Sequence, residues 1–396
     1  MKRALCVLLV VLVSCALAAC QVTAPAPTTT SATAATPAPS TAPTSVAGAK
    51  STPEVPVAMQ KPADLVVTDL LGRKVSIRAG AQSFAAIGPG CLRLYTYVAD
   101  VSKLTGIEQM EVNDISGRPY MLANKKLQKL PVIGPGGPNN APDAEKLLAS
   151  DPDVIFTMYN SEVSDVDELQ EKTGIPVVAL SYGVSEMFDP AVDESLTLIG
   201  KVTGHEERAA KVVAYLASLK NELASRTASI SRDEKPLAYV GGLGMRGVHG
   251  IESTNGNFSL FNAVGVRNAV AEAGINKAIM LDKEKLLEMN PDVVFIDGSG
   301  LHLVTEDYSK NKAFYDQLDA FKNGKVYMLL PYNYYYTNID IAVADAYFIG
   351  TVLYPKQFAD VSAKAKFDEI MNTLLGKSLY SEISKMYYGG YQQLKF

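Results

Sequence analysis

The chain has 396 residues and a formal charge of −5, with 37 Lys and Arg against 42 Asp and Glu. That mild acidity offers no electrostatic case for nucleic acid as a partner. The length is enough for about two domains, each able to bury a core without help from disulfides.

The chain opens as a targeting segment. Lys2 and Arg3 are followed by an apolar run, Ala4 to Ala16, too short to span a bilayer comfortably. The run ends in Leu17-Ala18-Ala19-Cys20, the small-residue pattern cut by a lipoprotein signal peptidase. Residues 1–19 then read as a signal peptide, with Cys20 taking a diacylglycerol anchor. The plainer alternative is a secretory signal with an incidental cysteine. Cleavage would leave Cys20 and Cys91, so no internal disulfide is expected. Residues 20–60 are Ala, Pro, Thr and Ser with few large apolar side chains, the composition of a disordered tether. No later stretch is apolar for long enough to cross a membrane.

Next come strand-like and helix-like runs in alternation. Leu65 to Asp69 and Lys74 to Ile77 flank a Leu71-Gly72-Arg73 turn and read as a hairpin. Ser83–Ile87, Val154–Met158 and Val177–Leu180 read as strands, and Leu92–Leu104 as a helix. This is the alternation of a parallel sheet flanked by helices. An internal repeat sharpens it. Asp143 to Phe156 matches Asp282 to Phe295 at nine of 14 positions, each copy a Glu-Lys-Leu-Leu helix, a Pro-Asp turn and an apolar strand. Chance likeness of two generic helix–turn–strand units is the competing account, but the identical polar positions exceed what burial demands. The repeat predicts two α/β lobes of similar size.

Between the copies, Val212, Val213, Leu216, Leu219 and Leu223 recur at helical spacing. Thr203-Gly204-His205-Glu206 reads as a capping box opening that helix. The expected fold class is therefore α/β, with two Rossmann-like lobes bridged by a single long helix and a ligand cleft between them. Its divisions are 61–188, a linking helix region at 189–232, and 233–396.

Ligands of such lobes sit where loops leave the carboxyl ends of the strands. Arg93 and Arg246 are the candidate charged contacts, one per lobe, because guanidinium forks suit anionic oxygens. Each could equally be a surface arginine. Tyr159 lies on a further loop at the same end of the first lobe. His249 is a candidate ligand contact or a brace for its own loop. Tyr332, Tyr334, Tyr335 and Tyr336 form an amphipathic cluster whose faces could stack on a planar ligand. Alternate burial along a strand would hide half of them, and one or two are expected at the cleft. Thr337 or Asn338 is expected to cap a helix at Ile339–Leu353. Gly242 to Gly247 satisfies a dinucleotide-binding pattern, but the residues after it do not open a helix, so that reading is rejected.

The opening Val67 to Ile77, both Glu-Lys-Leu-Leu…Pro-Asp-Val repeats and Thr337-Asn338 together resemble the periplasmic-binding family for iron–siderophore, haem and vitamin B12 uptake. The resemblance runs from about residue 64 onward. It implies two lobes that close slightly on a metal chelate, and delivery to the dimeric permease of an ABC importer. It implies that Glu145 and Glu284, one per lobe, dock on permease arginines, where plain solvent-exposed charge is the alternative. It also implies an extracytoplasmic, membrane-anchored monomer at the cell surface or in the periplasm. No resident cofactor, metal site or catalytic residue is expected, the ligand itself being an iron or cobalt chelate. Three other readings compete. A bare zinc or manganese site would need several converging His, Asp or Glu side chains, and the three histidines are far apart. A surface-anchored enzyme would have only Cys91 as a candidate nucleophile. The last is a structural lipoprotein or adhesin without a small ligand.

Overall fold

The computed structural model describes residues 63–159 and 162–396. The expected signal peptide, Cys20 and the tether at 20–60 lie outside the described residues.

The hairpin forms as expected, Leu65–Thr68 pairing antiparallel with Lys74–Ile77 in a register that sets Val67 opposite Val75. Val67, Val75 and Ile77 turn inward while their neighbours face solvent, as period-2 alternation demands. A parallel three-stranded sheet follows, ordered Phe84–Ile87, Val154–Thr157, Val177–Ala179. The second lobe holds a five-stranded sheet ordered Gln392–Gln393, Val326–Leu329, Val293–Asp297, Leu237–Gly241, Arg267–Asn268. Its chain-terminal edge strand is antiparallel and the rest are parallel. The central strands are buried along their whole length and apolar up to their last residues, Thr157 and Asp297, because helices cover both faces.

Both repeat copies fold alike. Helices Ala144–Ser150 and Lys283–Met289 each bury one leucine, Leu147 and Leu286. Both end on a residue in left-handed conformation, Asp151 (φ 50°) and Asn290 (φ 36°). Asp and Asn tolerate that conformation better than most residues, and the following proline cannot extend the helix. The shared polar position thus has a backbone cause.

The linking region is two helices, Pro190–Thr203 and Glu206–Thr227. Gly204 (φ 70°) closes the first in a left-handed cap. Thr203 therefore belongs to the first helix, donating its hydroxyl to the Ile199 carbonyl, and the cap residue of the second is His205 without a side-chain cap bond. This corrects the expected capping box. The long helix still buries Val212, Leu216, Leu219 and Leu223, while Val213 is only partly buried. One apolar core runs without a break from the first sheet (Phe84, Phe156) through this helix to Phe261, Phe295 and Tyr347. Leu353 ends the helix expected at Ile339–Leu353, capped at Asn338 by position only. The Asn338 side-chain amide donates instead to the Gly117 carbonyl at 2.9 Å, and Thr337 donates to the Ser185 carbonyl at 2.6 Å. Both bonds tie the second lobe's chain to the first lobe. Among the described residues no helix is long and apolar enough to cross a membrane.

Candidate functional site

A cavity of about 870 Å³ opens between the lobes. The first lobe contributes Pro89, Gly117, Pro138 and Asn139. The second contributes the Gly244–Val248 loop, Ser299, Pro331, the Asn333–Tyr336 segment and Tyr387. Most of these lie on loops at the carboxyl ends of strands, where the sequence placed them. Gly117 and Tyr387 do not, and their pairing across some 270 positions of chain carries no local signal. Residues 242–247 turn back on themselves, Gly242 donating its amide to the Gly250 carbonyl, and the next helix starts only at Ser259. The dinucleotide pattern is thus a loop and not a phosphate cradle.

The tyrosine cluster forms a tight hairpin. Asn333–Tyr334 pairs with Tyr336–Thr337, and Tyr335 alone makes the turn at φ 63°. A turn so short sets Tyr334, Tyr335 and Tyr336 on the cavity together, one more than strand alternation predicts. Tyr332 stays off the cavity and packs edge-on to Phe258, ring centroids 5.9 Å apart. Tyr335 is half exposed.

First-lobe side chains grip this hairpin. Arg93 is fully buried. Its Nη1 donates to the carbonyls of Tyr336 and Thr337, both at 3.2 Å, and to the Tyr182 hydroxyl at 3.1 Å. Nη2 donates to the Tyr334 carbonyl at 3.1 Å. Arg93 does not line the cavity, unlike the expectation, because every residue of its helix Cys91–Val98 is buried. The Tyr182 ring stacks on Tyr336 with centroids 4.9 Å apart and planes 7° from parallel. Gly90 makes room for it: at φ 81° a side chain is strained, and an added Cβ would stand 2.6 Å from the Tyr182 ring. Arg118, also buried, lies 3.9 Å over the Tyr334 ring and pairs with Glu111 at 3.3 Å.

Arg246 is exposed on the cavity wall, left-handed at φ 54°, and no other described residue hydrogen-bonds or ion-pairs with its side chain. His249 contacts the Met245 carbonyl through Nε2 at 2.8 Å and braces its own loop, off the cavity wall. Tyr159 is likewise engaged away from the wall, donating to Glu108 at 2.9 Å. Cys91 is fully buried, and burial with Glu108 beside it raises its thiol well above the usual range, which disfavours a nucleophilic thiolate. Among the described residues no three His, Cys, Asp or Glu side chains gather to hold a metal ion.

Behind the walls lie buried carboxyls. Burial pushes Glu108 up to about 7, opposed by the Gly88 amide and the Tyr159 hydroxyl that donate to it. Burial likewise pushes Asp297 and Asp340 up to about 6, held back at Asp297 by hydrogen bonds from Ser299 and at Asp340 chiefly by the Arg93 charge. These carboxyls keep a proton in the folded chain at pH values where the unfolded chain has lost it. Between about pH 4 and pH 7 the folded state binds more protons, so raising the pH costs stability. The melting temperature should fall by several degrees from pH 5 to pH 7.5. A thermal melt series that is flat or rises over that window would contradict these protonation states.

Two α/β lobes with loops of both converging on one large cavity define a cleft-type binding protein. Residues 97–332 match the sequence pattern described as periplasmic binding protein, and the chain belongs to that family. Two curated relatives come from Bacillus subtilis (strain 168). The uncharacterized ABC transporter substrate-binding lipoprotein YvrC is 21% identical over 52% of this chain and 62% of its own length. The iron-uptake system-binding protein is 28% identical over 42% of this chain and 50% of its own length. The chain thus matches between half and 62% of these relatives' length. The solved TroA-like periplasmic binding protein FepB from Veillonella parvula shares the fold. Its TM-score is 0.61 at 23% identity, over 80% of this chain and 97% of that one.

Proposed function

We propose that the chain is the lipid-anchored substrate-binding component of an ABC importer and captures a bulky metal chelate. The cavity carries the reading: about 870 Å³, walled by Tyr334, Tyr335 and Tyr336, with a partnerless Arg246. A bare metal ion needs no more than roughly one water's share of volume, about 30 Å³, whereas the cavity is in the range of organic ligands. Aromatic faces suit a flat or macrocyclic chelator, and the guanidinium suits its anionic oxygens. The iron-uptake relative and the substrate-binding lipoprotein relative support the same reading. In it, Cys20 carries the anchor, the cell face is extracytoplasmic, and Glu145 and Glu284 meet the permease.

The test is titration of the purified chain with a ferric siderophore, haem and a corrinoid. With no tryptophan in the chain, emission comes from its 20 tyrosines, four of which line the cavity. Saturable quenching at micromolar ligand or below is expected from at least one class. Tyr336→Ala should weaken it by about tenfold or more, through the lost stacking face and the unsupported Tyr182. Absence of saturable binding to all three classes would end the proposal.

A further inference from the structure

The charge inventory of the cleft narrows the chelate it can accept. Among the described residues lining the cavity, Arg246 is the one charged side chain. The guanidiniums behind the wall are already committed. Arg93 donates to three carbonyls and a hydroxyl and has the buried Asp340 carboxyl as its electrostatic counterpart, and Arg118 is paired with Glu111. What remains is partial charge. Helices Cys91–Val98 and Leu301–Lys310 begin two residues after the cavity-lining Pro89 and Ser299. A helix start carries about half a positive charge, spread over its free amides. The tyrosine rings pull the other way, since aromatic faces are electron-rich and disfavour anionic surfaces laid against them.

Resting on the chelate reading above, we infer that the cleft takes a chelate with one compact anionic group on an otherwise uncharged body, its net charge near −1. The anionic group, a carboxylate or its equivalent, pairs with Arg246, and the uncharged body lies on Tyr334, Tyr335 and Tyr336. A neutral chelate leaves the guanidinium unanswered. A trianionic chelate brings further charge into the cleft that no lining side chain offsets, and a poorly solvated, uncompensated charge is strongly disfavoured. Anionic charge spread round the chelate would also press against the ring faces. Charge must therefore be local, and it must be single.

Three ferric probes separate these cases: a neutral trihydroxamate, the same scaffold bearing one pendant carboxylate (net −1), and a tris-catecholate (net −3). The full chain in detergent micelles and its Arg246→Ala variant are titrated with each, following tyrosine emission. Arg246 is exposed, so the variant should fold. The carboxylate probe is expected to bind about tenfold tighter than either other probe and to lose about ten- to a hundredfold in the variant. The neutral probe should change by less than about threefold, as expected of a contact it does not use. Preference for the trianion overturns the inference, and so does a carboxylate affinity unchanged by the variant. Both leave the chelate reading standing. Binding of none of the three by the unaltered chain overturns the inference, and the chelate reading falls with it only if haem and a corrinoid also fail to bind.

Discussion

Arg93→Leu should unfasten the tyrosine wall and destabilise the chain together. The substitution leaves the carbonyls of Tyr334, Tyr336 and Thr337 without their donor, together with the Tyr182 hydroxyl, all around a fully buried position. Hydrogen bonds from a charged donor are worth roughly 1.5–3 kcal/mol each, though four on one group do not add fully. A loss of about 4 kcal/mol is expected, or a melting point lower by about 8 °C. Arg93→Lys separates positioning from folding. An ammonium keeps the charge but lacks the planar fork that reaches both edges of the hairpin, so about half the stability should return. Chelate affinity should stay down by about tenfold in this folded variant, although Arg93 does not line the cavity. Denaturation of both variants and titration of the lysine one check this. Native affinity in Arg93→Lys would refute the positioning role.

That role was not legible in the sequence. Arg93 follows a Gly-Pro-Gly loop at the end of a strand, a place where ligand contacts are common. Its three carbonyl partners lie more than 240 positions along the chain. Nothing local says that the helix Cys91–Val98 is buried on every side. The tyrosines failed differently. Period-2 alternation assumes an extended strand, and Tyr335 at φ 63° breaks that assumption. A bulky residue held there costs about 1–2 kcal/mol, and the surrounding contacts on Tyr334 and Tyr336 must offset it. Both Tyr335 and Arg246 adopt this left-handed conformation and both line the cavity, but a sequence does not announce a positive φ at tyrosine or arginine.

What could be read was what depends on short-range pattern. The hairpin register followed from alternation at Val67 and Val75. The repeat predicted two helix–turn–strand units, and their helices end on matching left-handed residues before proline. Leu216, Leu219 and Leu223 marked the buried face of the long helix, and Gly204 divides the linking region into two helices. Loops at strand ends pointed to the cavity because strand polarity alone decides which end they occupy. Roles within those loops depend on side chains from distant segments, and there the reading of Arg93, Tyr159 and His249 gave way to internal bonds.

Reversing the charge of Glu145 and Glu284 should abolish uptake while leaving chelate binding intact. The two glutamates occupy the second position of equivalent helices, Ala144–Ser150 and Lys283–Met289, and both are exposed. Neither joins an ion pair with another described residue, whereas the lysines beside them do: Lys146 with Asp143 at 2.8 Å, Lys283 with Asp307 at 2.6 Å, Lys285 with Glu288 at 2.7 Å. Each lobe therefore presents one uncommitted negative charge at a repeated place. Such a pair suits a two-fold partner carrying positive charge, and facing like charges across a contact costs several kcal/mol. Glu145→Arg or Glu284→Arg alone should slow uptake of labelled chelate into the native cell by about tenfold, and the double variant should stop it. Surface changes of this kind shift stability by no more than about 0.5 kcal/mol, so melting point and chelate affinity should stay put. Full uptake by the double variant would remove the docking role from both residues and reduce them to solvated helix charge.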